Sequence, residues 1–283
     1  MKPIFNSNLA ELTYSNNTAH KEKSLETLGQ IAVADFRNIL VLNKYKLDYS
    51  FWGKYTLKEA CEEKNISTAQ VEHDLNSISL QPRIYNLNYN DWAADYLADF
   101  ITTNHHQYVR KFLLLLTEEF NHIAPAVQRE YPFLARIGET FQHVATDMSA
   151  YLVEEEQVIF PYIRFLVQAK KSNFPSSLLP AGCMEHRLAM MEIEQKILGE
   201  NIEFIRSSCN NYVLPEGNSA ALALLYRWLN DFDNDLQHHA HLENNILFPK
   251  AIKLEKECVQ RSTRLHATPN HTKFPKVAID TLY

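Results

Sequence analysis

Asp235-Leu236-Gln237-His238-His239-Ala240-His241-Leu242-Glu243-Asn244-Asn245-Ile246-Leu247-Phe248-Pro249 decides how this chain folds. Asp235, His239 and Glu243 are spaced by four, so on a helix they form one stripe, each a turn from the next. An earlier stretch repeats the pattern: Asp147, Tyr151, Glu155, Phe160 and Pro161 stand 88 residues before Asp235, His239, Glu243, Phe248 and Pro249. Upstream of each stretch lies a further histidine, His106 and His186, inside another apolar-periodic segment. Two helical hairpins that each bring a histidine and an acid to a shared interior are what a two-fold-like metal site in a helix bundle requires.

The donors divide by role. His239 and Glu243 reach a common point, and Asp235 is placed to take the other imidazole N–H and fix its tautomer. Asp147, Tyr151 and Glu155 form the matching stripe. His106 and His186 add one imidazole each. Three imidazoles and two carboxylates make a mixed N/O set that suits iron or manganese, with zinc a further candidate. Two carboxylates related by the repeat can bridge a pair of ions. The neighbours read as bystanders: His105 is rotated about 100° from His106 on a regular helix, His238 and His241 are expected at the surface or rim, and Glu154 and Glu156 in solvent. Three readings of Tyr151 stay open. It ligates as a phenolate, it leaves a coordination position to water or a substrate, or it marks a degenerate site with one metal or none.

The rest of the chain frames this core. It has 283 residues, with only 6 Gly and 11 Pro, a composition that favours helices over a turn-rich β fold. The net charge of −6 argues against a broad nucleic-acid-binding surface. Cys61, Cys183, Cys209 and Cys258 lack metal or disulfide spacing and read as reduced cytoplasmic thiols. The most apolar run, Phe112 to Leu116, is too short to span a membrane. The expected organisation is all-α: a flexible arm over 1–23, a small helical domain over 24–80, a linker over 81–90, an up-down-up-down four-helix bundle over 91–258 and an irregular tail over 259–283. Bundle helices are predicted near 91–122, 132–170, 183–208 and 220–257. Thr56 with Glu59, and Ser67 with Gln70, carry the capping-box spacing. Pro161 and Pro249 fall inside helices and should bend them.

With these residues assembled, the chain resembles the iron–sulfur cluster repair di-iron proteins, whose main domain is hemerythrin-like. The resemblance covers roughly residues 25 to 255. It rests on Asn104-His105-His106-Gln107-Tyr108, on Glu154 to Pro161, on Met184-Glu185-His186 and above all on His239 to Pro249. Asp35-Phe36-Arg37, Lys44 to Tyr49 and Gly53 to Cys61 look like that family's small helical domain. The resemblance implies iron, two ions expected with one the alternative, held by His106, Glu155, His186, His239 and Glu243, the two glutamates bridging. The sixth ligand, a histidine in the family, falls on Tyr151. The family's small domain usually carries two adjacent cysteines where this chain has Ser50-Phe51-Trp52. The implied function is repair or protection of iron–sulfur clusters under nitrosative or oxidative stress, with damaged iron–sulfur proteins or a diatomic ligand as partners and a homodimer as one assembly. A hemerythrin-like carrier or sensor of oxygen or nitric oxide without turnover, and a metal-depleted regulatory paralogue, are the rival readings.

Overall fold

The computed structural model describes residues 23–80, 88–127, 131–172, 182–216 and 218–266. The expected arm, most of the linker, the connection after Ser172 and the end of the tail lie outside these residues. Among the described residues the regular structure is helical, apart from one isolated bridge between Thr27 and Thr56.

Four short helices make the N-terminal domain: α1 Leu28–Ala34, α2 Asn38–Lys44, α3 Leu57–Glu63 and α4 Thr68–Ser79. Thr27 and Thr56 each close a capping box, with Gln30 and Glu59 reaching back to the cap. Such caps satisfy amide groups that a helix N-terminus leaves without partners. Ser67 caps α4 from one side only, because the Gln70 amide turns to Asp74 at 3.3 Å instead. Leu28, Ile31, Leu42, Leu47, Leu57, Val71 and Leu75 fill the centre of this domain.

The bundle has four arms, three of them broken by a π turn. The first is α5 Ala94–Ile101, π1 Thr102–His106 and α6 Gln107–Val127. The second is α7 Phe133–Glu154, π2 Glu155–Ile159 and α8 Phe160–Ser172. The third is the unbroken α9 Cys183–Ser208. The fourth is α10 Ala220–His241, π3 Leu242–Leu247 and α11 Phe248–His266. Helix α11 therefore carries the fourth arm past residue 258, where an irregular tail was expected. In a π turn the N–H reaches the carbonyl five residues back. Phe160 N–H bonds to Glu155 O, and Phe248 N–H to Glu243 O. Pro161 and Pro249, which have no N–H to give, each follow at the point where the ladder has already shifted.

Two apolar clusters fill the bundle. Val109, Leu152, Leu198 and Leu236 belong to one, and Ile101, Ile159, Met191 and Leu242 to the other. In every arm the chain crosses from one cluster to the other within about two turns. The layer between them holds the polar side chains described next. The N-terminal domain sits against this layer through π3. Asn245 donates to Tyr49 O at 2.8 Å, and Asn244 donates to Ser50 O at 3.2 Å. Only glycine fits beside Asn245: a Cβ on Gly29 or Gly53 would lie 2.1 or 2.6 Å from its Oδ1.

Candidate metal centre

His106, Glu155, His239 and Glu243 meet in the layer between the two apolar clusters. One donor atom from each lies within 4.8 Å of the others, and all four side chains are buried. His106 ends π1, Glu155 opens π2 and Glu243 lies in π3. A π turn shifts the phase of the residues around it, so each of the three arms carries a donor at or within a local change of helix rotation.

His239 Nε2 lies 2.9 Å from Glu243 Oε1. His106 Nε2 lies 3.4 Å from Glu155 Oε2 and 3.6 Å from Glu243 Oε1, forming a hydrogen bond with neither. His106 Nε2, both oxygens of Glu155 and His239 Nδ1 are buried without a hydrogen-bond partner. Orphaned buried polar atoms are costly and rare in native interiors. Such orphaned atoms on three of the four clustered side chains fit a cation at this point, and the mixed imidazole and carboxylate set fits iron.

The charges agree with that reading. Burial, and then the charge of Glu243, pushes the Glu155 carboxyl well above the ordinary carboxylate range. Burial acts on Glu243 in the same sense, but His239 and His106 overcome it and bring its carboxyl down to about 2. Two glutamates this close cannot both ionise freely unless positive charge lies near them.

A supporting shell surrounds the donors, and part of it differs from expectation. Glu156, expected in solvent, accepts from His106 Nδ1 at 2.8 Å and takes both arms of Arg110 at 2.8 and 3.0 Å. It thereby fixes the tautomer that aims His106 Nε2 at the two glutamates. His105 is buried rather than outward, because π1 breaks the regular rotation that would separate it from His106. Asp235 pairs with His105 Nδ1 at 2.9 Å, not with His239, and the His105 ring lies nearly parallel to that of His239 with centroids 5.8 Å apart. His241 is buried too, receiving a hydrogen bond from Asn245 at 2.9 Å with its ring edge against Tyr49. Asp147 is exposed and holds no place in the site.

His186 does not join the cluster. It is exposed near the start of α9. The residue that α9 brings to the polar layer is Gln195, which is buried and donates to Tyr151 Oη. Nine residues of helix separate the two positions, about 13 Å of rise and close to half a turn of facing. Tyr151 is buried beside the donors. Burial, and then the charges of Glu155 and Glu243, holds its phenol proton well past the usual tyrosine range. Gln195 also lines a cavity of about 600 Å³ between α9 and the N-terminal domain, with Phe51, Trp52, Met191, Lys196 and Phe248 around it.

The chain is similar to known proteins. Residues 24–79 match a domain of unknown function (DUF542), and residues 100–251 match the hemerythrin HHE cation binding domain. A probable iron–sulfur cluster repair protein of Haemophilus influenzae is 30% identical over 233 residues, covering 80% of this chain and 96% of that protein. The iron–sulfur cluster repair protein YtfE of Pectobacterium atrosepticum is 29% identical over 237 residues, 81% of this chain and 98% of its own length. Its namesake in Yersinia pestis is 26% identical over the same shares.

Proposed function

Because this chain belongs to the iron–sulfur cluster repair family and joins a DUF542 domain to a hemerythrin HHE cation-binding domain, we propose that it is an iron protein that restores damaged iron–sulfur clusters. The observation that carries this is the buried set of His106, Glu155, His239 and Glu243 with its orphaned atoms. His106 and His239 would hold iron through imidazole nitrogens, and Glu155 and Glu243 would bridge or cap it. Iron in such a site supplies one-electron chemistry and a place for a small ligand. The chain's own residues do the rest. Glu156 and Arg110 keep the His106 tautomer, the two apolar clusters exclude water, and Asp235 steadies the His105 ring beside His239.

The clients are damaged iron–sulfur proteins, and nitrosative or oxidative stress in the cytoplasm is the setting. Among the described residues no helix is long and apolar enough to cross a membrane. An exposed stripe on α9, Met190, Ile193 and Ile197, runs past the mouth of the cavity and supports contact with a partner protein. A homodimer through that stripe is the other assembly it supports, and sedimentation velocity of wild-type and Ile193→Glu protein distinguishes them. The Tyr151–Gln195 pair, standing where imidazoles were expected, favours one second reading: a carrier or sensor that binds nitric oxide or oxygen reversibly without repair.

Adding iron-loaded protein to a hydratase whose cluster has been damaged by nitric oxide should restore its activity, and a His239→Ala variant should not. Reversible gas binding without recovery would transfer the argument to the sensor. Iron below about 0.2 per chain after anaerobic loading would end both readings.

A further inference from the structure

The internal repeat of the metal centre breaks at two positions. On one side His106 and His239 stand together, ring centroids 4.9 Å apart, one from the first arm and one from the fourth. On the other side Tyr151 holds the place related to His239 by the 88-residue offset, and Gln195 lies 89 residues after His106. The structure joins these two in turn: the Gln195 amide donates to the Tyr151 hydroxyl, and both are buried. One half of the centre therefore offers two imidazoles, each with one ring nitrogen that has no hydrogen-bond partner, His106 Nε2 and His239 Nδ1. The other offers a phenol and a primary amide that satisfy each other, whichever way round the amide lies. An amide NH₂ has no lone pair to give, and an amide oxygen is a weak ligand beside imidazole for iron of either charge.

We propose that the centre holds two ions unequally: one is retained against His106 and His239, and the position bounded by Tyr151 and Gln195 fills only while free metal is in excess. Glu155 and Glu243 lie between the halves and serve both. An ion entering the second position has to part the Tyr151–Gln195 hydrogen bond, which the retained ion does not. The same position adjoins the way in, because Gln195 lines the cavity of about 600 Å³ while His106 and His239 do not. The exchangeable ion is thus the one nearest the opening. This rests on the iron reading above and says which half of the site gives metal up.

The test uses the full chain, loaded anaerobically with excess ferrous iron. Iron per chain is measured before and after a chelator of moderate affinity, with Mössbauer spectra of isotopically enriched samples. The expected result is a fall from two ions to one, with loss of exchange coupling between them. A Tyr151→His and Gln195→His double variant should keep both ions through the same treatment. A wild-type chain that never exceeds one ion beside a double variant that holds two supports the same inequality at its limit. Two ions surviving the chelator in the wild type, or a folded double variant that still keeps one, overturns the proposal. Retention of no iron at all overturns the iron reading instead. The wild-type measurement stands whether or not the double variant folds.

Discussion

His106 illustrates how much a single side chain owes to its neighbours. Its Nε2 points at two glutamates only because Nδ1 is tied to Glu156, and Glu156 is held in turn by the Arg110 fork. Arg110 first, against partial burial and with help from His106, keeps the Glu156 carboxyl below its usual range, so it stays an acceptor. Outer partners of this kind are worth about 10–100-fold in metal affinity. Glu156→Ala should weaken iron binding by that factor in a chelator competition, while Glu154→Ala, two residues away and half exposed, should not. Equal affinities would show that His106 is aimed by packing alone. The sequence displayed Glu155, His239 and Glu243 through their spacing, and His106 as a histidine inside an apolar-periodic segment. It hid Glu156, because a run of three glutamates does not say which one turns inward. It hid Gln195 as well, because an amide carries no metal signal and His186 offered a stronger one nearby. The repeat held the clue: carried from His106, the 88-residue offset lands on Glu194, next to Gln195.

The elements show the same division. Four long helical arms follow from apolar periodicity, and α9 spans the predicted Cys183–Ser208. The π turns do not follow, since a 3.6-residue template assumes constant rotation and one added residue leaves no compositional trace. This is why His105 was expected outside and lies inside, whereas His241, still in regular helix, is buried by the ring of Tyr49 from the N-terminal domain. π3 also carries the contact between domains. Gly29→Ala places a Cβ against Asn245 Oδ1, whose amide is already committed to Tyr49 O and His241. Forcing such overlap costs about 1–3 kcal/mol. Hydrogen exchange should quicken across α1 and residues 49–56 while iron content holds; unchanged exchange would mean the interface gives way elsewhere. Between α9 and α10, buried Asp233 receives Arg206 at 2.7 and 2.8 Å and the Tyr212 hydroxyl at 2.8 Å. Asp233→Ala strands the guanidinium and should cost about 3–5 kcal/mol in urea unfolding. A loss below about 1 kcal/mol would show that Glu203, 2.5 Å from Arg206, takes over the pairing.

At the scale of the whole molecule, the bundle's two apolar clusters enclose one polar layer, a third fills the N-terminal domain, and acidic protons outside the polar layer are also held tightly. Burial pushes Tyr49, Tyr212 and Tyr226 above the usual phenol range, and the Cys209 thiol, despite a hydrogen bond with Tyr226, up to about 12 from 9.0. Each of these groups keeps its proton in the folded chain at a pH where the unfolded chain has lost it. Raised folded values of this kind leave stability intact below the unfolded pKa and remove it as pH climbs toward the folded one. The window for Cys209 therefore runs from pH 9 to about 12. A shift of that size corresponds to a loss on the order of 4 kcal/mol, and Cys209 is buried enough for little of it to be screened. Urea midpoints measured between pH 7 and alkaline pH on wild-type and Cys209→Ala protein separate this group from the tyrosines. Removing the thiol lowers stability by a constant packing cost at every pH. It should also flatten the wild-type decline above pH 9, so the two curves converge as pH rises. Parallel curves across that window would place the alkaline sensitivity on the phenols alone.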